Sequence, residues 1–136
     1  NVYHIHGQIN QAVCLNCGHV LETFGDVDTQ TVCPHCQLAG MMKPNIVFFG
    51  ENLLCMNEVD RLLRSCDLFV SIGTSGIVYP AAGFVQTAKY YGTDTIEFTL
   101  ETTANNYLFD RHIYGPAGQT FPTYVEELLN TAAETK

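Results

Sequence analysis

The chain has 136 residues, 46% hydrophobic and 15% charged, with fourteen acidic against six basic side chains and a formal charge of −8. That length suits one domain with its own core, and the composition is that of a globular chain rather than a disordered one. Residues 1–42 hold no Lys or Arg, so the chain lacks the cationic footprint that phosphate backbones require, and nucleic acid is not expected as a direct partner.

In chain order, residues 1–6 read as a short strand ending at Gly7. Residues 8–42 are polar and turn-rich, with Gly18, Gly25, Pro34 and Gly40, and show no long periodic segment. The apolar run Asn45-Ile-Val-Phe-Phe49 reads as a strand. From Leu54 the period changes: Cys55, Val59, Leu62, Leu63 and Cys66 fall on one helical face, and the two cysteines read as core fillers. Asp67-Leu-Phe-Val-Ser-Ile72 has the continuous apolar character of a buried parallel strand. A helix is predicted from about Pro80 to Tyr91, opened by proline and closed by Gly92. A strand follows at Thr95–Thr99, then irregular chain through Tyr114-Gly-Pro-Ala117. A last helix is predicted from near Pro122, with Tyr124, Val125, Leu128 and Leu129 inward. Strands alternating with helices after residue 45 predict an α/β parallel sheet, with the cysteine-rich segment as an insertion.

The strongest local signal is C-x2-C, fifteen residues, C-x2-C, at Cys14, Cys17, Cys33 and Cys36. Two residues between ligands let a tight turn aim both sulfurs at one ion, and four thiolates complete a tetrahedron with no open position. A structural Zn2+ is therefore expected. Zinc also explains how a segment so poor in apolar residues folds, since binding contributes folding free energy. A redox pair and an iron–sulfur cluster are the rival readings, and His19 and His35 stand beside the cysteines as surface residues. No apolar run approaches the ~20 residues of a membrane span, and no signal-peptide pattern opens the chain. Paired cysteines without an export signal point to a reducing, cytoplasmic setting.

A buried strand running into Gly73-Thr74-Ser75-Gly76 is a weak cofactor signal by itself, because such loops also serve turn geometry. Neither GxGxxG nor a P-loop occurs in the chain. Taken together, however, His6-Gly7, the two cysteine pairs, Lys43-Pro-Asn-Ile-Val-Phe-Phe-Gly-Glu51, Ile72-Gly-Thr-Ser75, Val78-Tyr-Pro-Ala-Ala82 and Tyr114-Gly-Pro-Ala117 resemble the sirtuins, NAD-dependent protein-lysine deacylases, and bacterial members above all. The resemblance runs from His6 to about Leu129. It implies the second half of a Rossmann-like parallel sheet, with a zinc-binding module at 8–42 and the remainder of that fold at 1–7 and 43–136.

The resemblance also implies roles. His6 becomes the general base that accepts a ribose hydroxyl proton, a task suited to imidazole with its ordinary pKa near about 6.5. On its own residues, His6 reads only as the end of a strand. Val47, Phe49, Gly50 and Glu51 match the segment that grips an acyl-lysine peptide as an added strand. Gly73, Thr74, Ser75, Thr99, Leu100, Glu101 and Ala117 match contacts to NAD+. Where the family has Asn-x-Glu-Pro, this chain has Thr99-Leu100-Glu101-Thr102, and threonine offers one hydroxyl in place of the amide's donor-plus-acceptor pair. The family's Gly-Ala-Gly-x-Ser loop and its Gln-Asn-x-Asp segment precede the His-Gly motif, and the chain starts before that motif by only a few residues. A fragment, completed by a first half in cis or in trans and inactive alone, is the expected reading. A non-catalytic zinc-stapled remnant and an NAD hydrolase or ADP-ribosyl transferase are the alternatives.

Overall fold

A computed structural model describes residues 1–134. The chain divides into two compact units, Asn1–Glu58 and the part from Val59 onward.

In the first unit β1 (Gly7–Cys14) lies between β2 (Val20–Glu22) and β3 (Met42–Ile46), both antiparallel to it. The strand expected at 1–6 is instead irregular chain and a turn, closed by Ile5 N–H to Tyr3 C=O and Gly7 N–H to His4 C=O. The pairing begins at Gly7, so His6 precedes a strand rather than ending one. The segment 8–42, expected to be polar and turn-rich, contributes β1 and β2; its apolar residues are sparse, and in β1 Ala12 and Cys14 are buried while Ile9 is exposed. The strand expected at 45–49 sits earlier, at 42–46, because Phe48–Glu51 closes into a turn. The core is small: Ala12, Cys14, Cys33 and Met42, with Leu21, Val27 and Cys36 against it.

In the second unit β4 (Leu68–Ile72), β5 (Asp94–Thr99) and β6 (Arg111–Tyr114) form a parallel sheet in the order β4-β5-β6. This is the α/β architecture the sequence predicts. The connection between β4 and β5 carries a 3-10 turn (Ala81–Gly83) and α2 (Phe84–Tyr90), α1 (Met56–Leu63) precedes the sheet, and α3 (Ala117–Glu134) follows it. Phe98 and Ile96 of β5, both fully buried, pack with Tyr124 and Phe121 of α3 and with Leu68, Val70 and Ile113. Burying a side chain the size of Phe98 contributes about 3 kcal/mol.

Four further expectations are corrected here. β6 occupies part of the stretch read as irregular. The last helix starts at Ala117 rather than Pro122, which lies inside it; Phe121 and Tyr124 on Phe98 hold that turn despite the missing N–H. Leu128 and Leu129 are exposed, and so is Cys55, which sits in the turn before α1 with a left-handed backbone rather than on the helical face.

Candidate functional site

The four cysteines of the two pairs meet. All four sulfurs lie within 4.8 Å of one another, with Cys14 Sγ 3.6 Å from Cys36 Sγ and Cys17 Sγ 3.7 Å from Cys33 Sγ. Tetrahedral zinc, with Zn–S of about 2.3 Å, places its sulfurs roughly 3.8 Å apart. Both turns are built alike. Cys14 C=O accepts from Gly18 N–H and Cys14 N–H donates to His19 C=O; Cys33 C=O accepts from Gln37 N–H and Cys33 N–H donates to Leu38 C=O. Gly18 and Gln37 take the same left-handed backbone at equivalent positions. Without a cation the sulfurs oppose each other's ionisation. A backbone hydrogen bond from His19 favours the Cys17 thiolate, but desolvation and the three neighbouring thiols together outweigh it and push that thiol up to about 12. A dication reverses this, since a coordinated thiol is deprotonated outright. The donor set fits one structural zinc. The His19 and His35 rings stack at 5.3 Å across the two turns, outside the sulfur set.

His6 is exposed, and its carbonyl accepts the Val47 N–H at 3.0 Å. One residue earlier, Ile5 C=O accepts the Leu54 N–H at 2.9 Å. Gly7 pairs with Ile46 at φ +78°, and a Cβ there would stand 1.9 Å from Asn45 O. Only glycine permits that approach, which is why a glycine must follow His6. The segment 47–51 is a turn. Glu51 accepts from Lys43 Nζ at 2.6 and 2.7 Å and from the Phe48 N–H at 3.1 Å, while its own N–H donates to Phe48 C=O. Lys43, then the Phe48 amide, hold the Glu51 carboxyl below its ordinary range. Glu51 thus faces its own loop, and Phe49 at the turn's tip is fully exposed.

In the second unit the remaining expected residues gather at the carboxyl ends of the parallel strands, where open α/β sheets receive ligands. Gly73 follows β4, with its N–H on Phe98 C=O at 2.9 Å. Thr74 Oγ1 lies 3.1 Å from Ser71 Oγ. Thr99 ends β5; its hydroxyl donates to Glu101 C=O at 2.9 Å and its carbonyl accepts Gly115 N–H at 3.0 Å. Leu100 and Glu101 are exposed beyond it. Ala117 opens α3 just after β6.

Sequence reasoning missed Glu97, Asn105, Asn106 and His112, which surround these loops. A carboxyl in the middle of an apolar strand, Thr-Ile-Glu-Phe-Thr, was the available signal.

The Sir2 family model matches residues 1–80, more than half of the chain. The chain belongs to the Sir2 family. Among curated sirtuins it is 47% identical over 133 residues to the NAD-dependent protein deacylase SIR2rp3 of Leishmania major, covering 95% of this chain and 54% of that protein. It is 46% identical over 136 residues to the NAD-dependent protein deacylase of Vibrio parahaemolyticus, covering 100% and 56%. Among solved structures, a Sir2 homolog–NAD complex superposes with a TM-score of 0.83 at 26% identity, covering 96% of this chain and 52% of that one. Sir2Af2 bound to a myristoylated histone peptide gives 0.74 at 31%, covering 96% and 58%. The chain thus spans about half the length of the sirtuins it matches. Among the described residues, no helix is long and apolar enough to cross a membrane.

Proposed function

We propose that the chain is the zinc-bearing and cofactor-facing part of a sirtuin core that removes acyl groups, acetyl first, from protein lysines. One water is consumed, and the products are the free lysine, nicotinamide and O-acyl-ADP-ribose. NAD+, when bound, supplies an electrophilic ribose carbon and a nicotinamide leaving group. His6 takes the proton from a ribose hydroxyl, so that the ribose oxygen accepts the acyl group. Val47, Phe49 and Gly50 present backbone and an aromatic wall to an extended acyl-lysine peptide, and Glu51 braces that turn from within. Gly73, Thr74, Ser75, Thr99, Leu100, Glu101 and Ala117 face the adenosine side. Cys14, Cys17, Cys33 and Cys36 hold zinc; residues 8–42 form the zinc module, and 1–7 and 43–136 belong to the Rossmann-like part of the core. The thiol set suits a reducing compartment such as the cytoplasm.

One observation carries deacylation over NAD hydrolysis: the His6 carbonyl bonds the Val47 amide, so the base and the peptide segment share one hydrogen-bonded frame. The test assembles the chain with a first half of the core, its own or that of a 46%-identical relative, and supplies acetyl-lysine peptide and NAD+. Deacetylated peptide and nicotinamide in equal amounts support the proposal. Nicotinamide released without deacetylation points to hydrolysis or ADP-ribosyl transfer. No turnover alongside retained peptide binding points to a non-catalytic module.

A further inference from the structure

β5 ends in a segment that reaches back to the loop after β4, and one buried carboxyl organises it. Glu97, 2% exposed, accepts from Thr103 Oγ1 at 2.7 Å on one oxygen and from Asn106 Nδ2 at 2.7 Å on the other, with His112 Nδ1 2.9 Å from that second oxygen. Asn106 also donates to Tyr114 OH at 3.2 Å. Thr103 and Asn106 bracket Ala104 and Asn105, and those two residues touch the neighbouring loop. The Ala104 N–H points at Ser75 C=O at 3.4 Å. Asn105 is buried, donates from Nδ2 to Ala82 C=O at 3.1 Å, and places its Oδ1 where a Cβ on Gly76 would stand, 1.9 Å away.

We propose that Glu97 is a positioning residue for the Gly73–Gly76 loop, acting through the 103–106 turn and the Asn105 side chain. The inference rests on the reading of that loop as an NAD contact. Its physical basis is that Gly73–Ser75 are exposed and few side chains hold them. Their conformation is set from below, by the Asn105 amide filling the space under Gly76. Asn105 in turn is held because its flanking residues are tied to a carboxyl that cannot move within a buried strand. A buried carboxyl with two donors on it and an imidazole nitrogen beside it is rigid, because withdrawing either donor leaves polar atoms unpaired away from water.

The experiment has two readouts. On the chain itself, Glu97→Gln keeps the shape but loses one acceptor, and Thr103→Val removes one donor. Each should speed hydrogen exchange at the amides of 73–76 and 104–106 while leaving those of β4 and the core of β5 protected. In the assembled core, both variants should raise the KM for NAD+ about tenfold, the scale of one buried hydrogen bond. The kcat and the peptide KM should stay within about twofold. Asn105→Ala should do the same, and Glu97→Gln added to it should contribute little more, since residues acting through one another are non-additive. Unchanged exchange in the loop, or independent additive effects, overturns the proposal. Loop exchange that rises while wild-type core shows no NAD+ affinity leaves the coupling standing and overturns the cofactor reading instead. If Glu97→Gln loses protection throughout the sheet, Thr103→Val, at the rim of the network, decides between local and global effects.

Discussion

The glycine after the candidate base offers a direct measure of how tightly the first unit is built. Gly7→Ala meets two penalties. Its φ of +78° is left-handed, which costs an L-residue about 1–2 kcal/mol. Its Cβ would also stand 1.9 Å from Asn45 O and 2.9 Å from Ile46 Cα, so β1 and β3 must separate where Gly7 pairs with Ile46. Losing or lengthening one strand hydrogen bond adds about 1 kcal/mol. The restricted unfolded chain returns about 0.4–1 kcal/mol, leaving a net loss of roughly 2 kcal/mol. Gly50→Ala is the control, since Gly50 has φ +90° and nothing within 4 Å of an added Cβ. It should lose no more than about 1 kcal/mol, from the dihedral alone. Urea unfolding of both variants, followed by zinc retention and far-UV circular dichroism, gives the comparison. In the assembled core Gly7→Ala should also lower kcat on the order of 100-fold, because the His6 carbonyl and the Val47 amide shift together. Equal stabilities for the two variants would falsify the steric argument, and an active Gly7→Ala enzyme would detach His6 from the chemistry.

Purified chain should carry one zinc, and Cys33→Ser, at the buried sulfur, should release it and unfold the module, as read by metal mass spectrometry; iron in its place, or full metal after the substitution, contradicts the assignment. His6→Ala in the assembled core should cost about 10²–10⁴ in deacylation rate with zinc content unchanged, and a near wild-type rate makes His6 structural. Asp110 is held at about 2 by Lys89, first, and by the Thr95 hydroxyl and amide. A carboxyl with a depressed pKa contributes stability that is complete above its unfolded value near about 4 and is lost as pH falls towards about 2. Asp110→Asn should remove that part of the acid transition in a pH-dependent melt, and an identical slope in both proteins refutes the tie. The isolated chain should show no micromolar NAD+ binding by titration calorimetry, since it holds no glycine-rich phosphate loop and carries a charge of −8; micromolar affinity would show that the strand ends suffice.

What the sequence displayed follows from how each element is buried. β4 is a near-continuous apolar run, half-buried, and β5 is buried from Thr95 to Thr99; both were read within a residue. β1 was missed because Gln8, Asn10 and Gln11 alternate with an exposed Ile9, leaving Ala12 and Cys14 as its only buried residues. β6 carries one aliphatic residue in Arg-His-Ile-Tyr; its other side chains are satisfied by groups distant in sequence, Arg111 on Tyr124 and His112 on Glu97. The start of α3 was hidden by Gly118 and Pro122, whose local preference is overruled by aromatic packing on Phe98. The cysteine spacing was fully legible, since its chemistry is local. The network around Glu97 was not, because it links residues 97, 103, 106 and 112 through side chains alone.

The likeness of the two cysteine turns bears on how this part of the molecule tolerates change. Each turn closes on its own backbone, Cys14 with Gly18 and His19, Cys33 with Gln37 and Leu38. The span between them contributes no sulfur and includes an exposed tip at Phe24–Asp26. With β2 and the core contacts of Leu21 and Val27 kept, the length of that tip enters the metal affinity through the entropy of bringing two finished halves together, and doubling a flexible loop adds just about 0.6 kcal/mol. Insertions at Phe24–Asp26 should leave the metal in place, so this tip is where a tag, a reporter or an unrelated recognition segment can be grafted without rebuilding the centre.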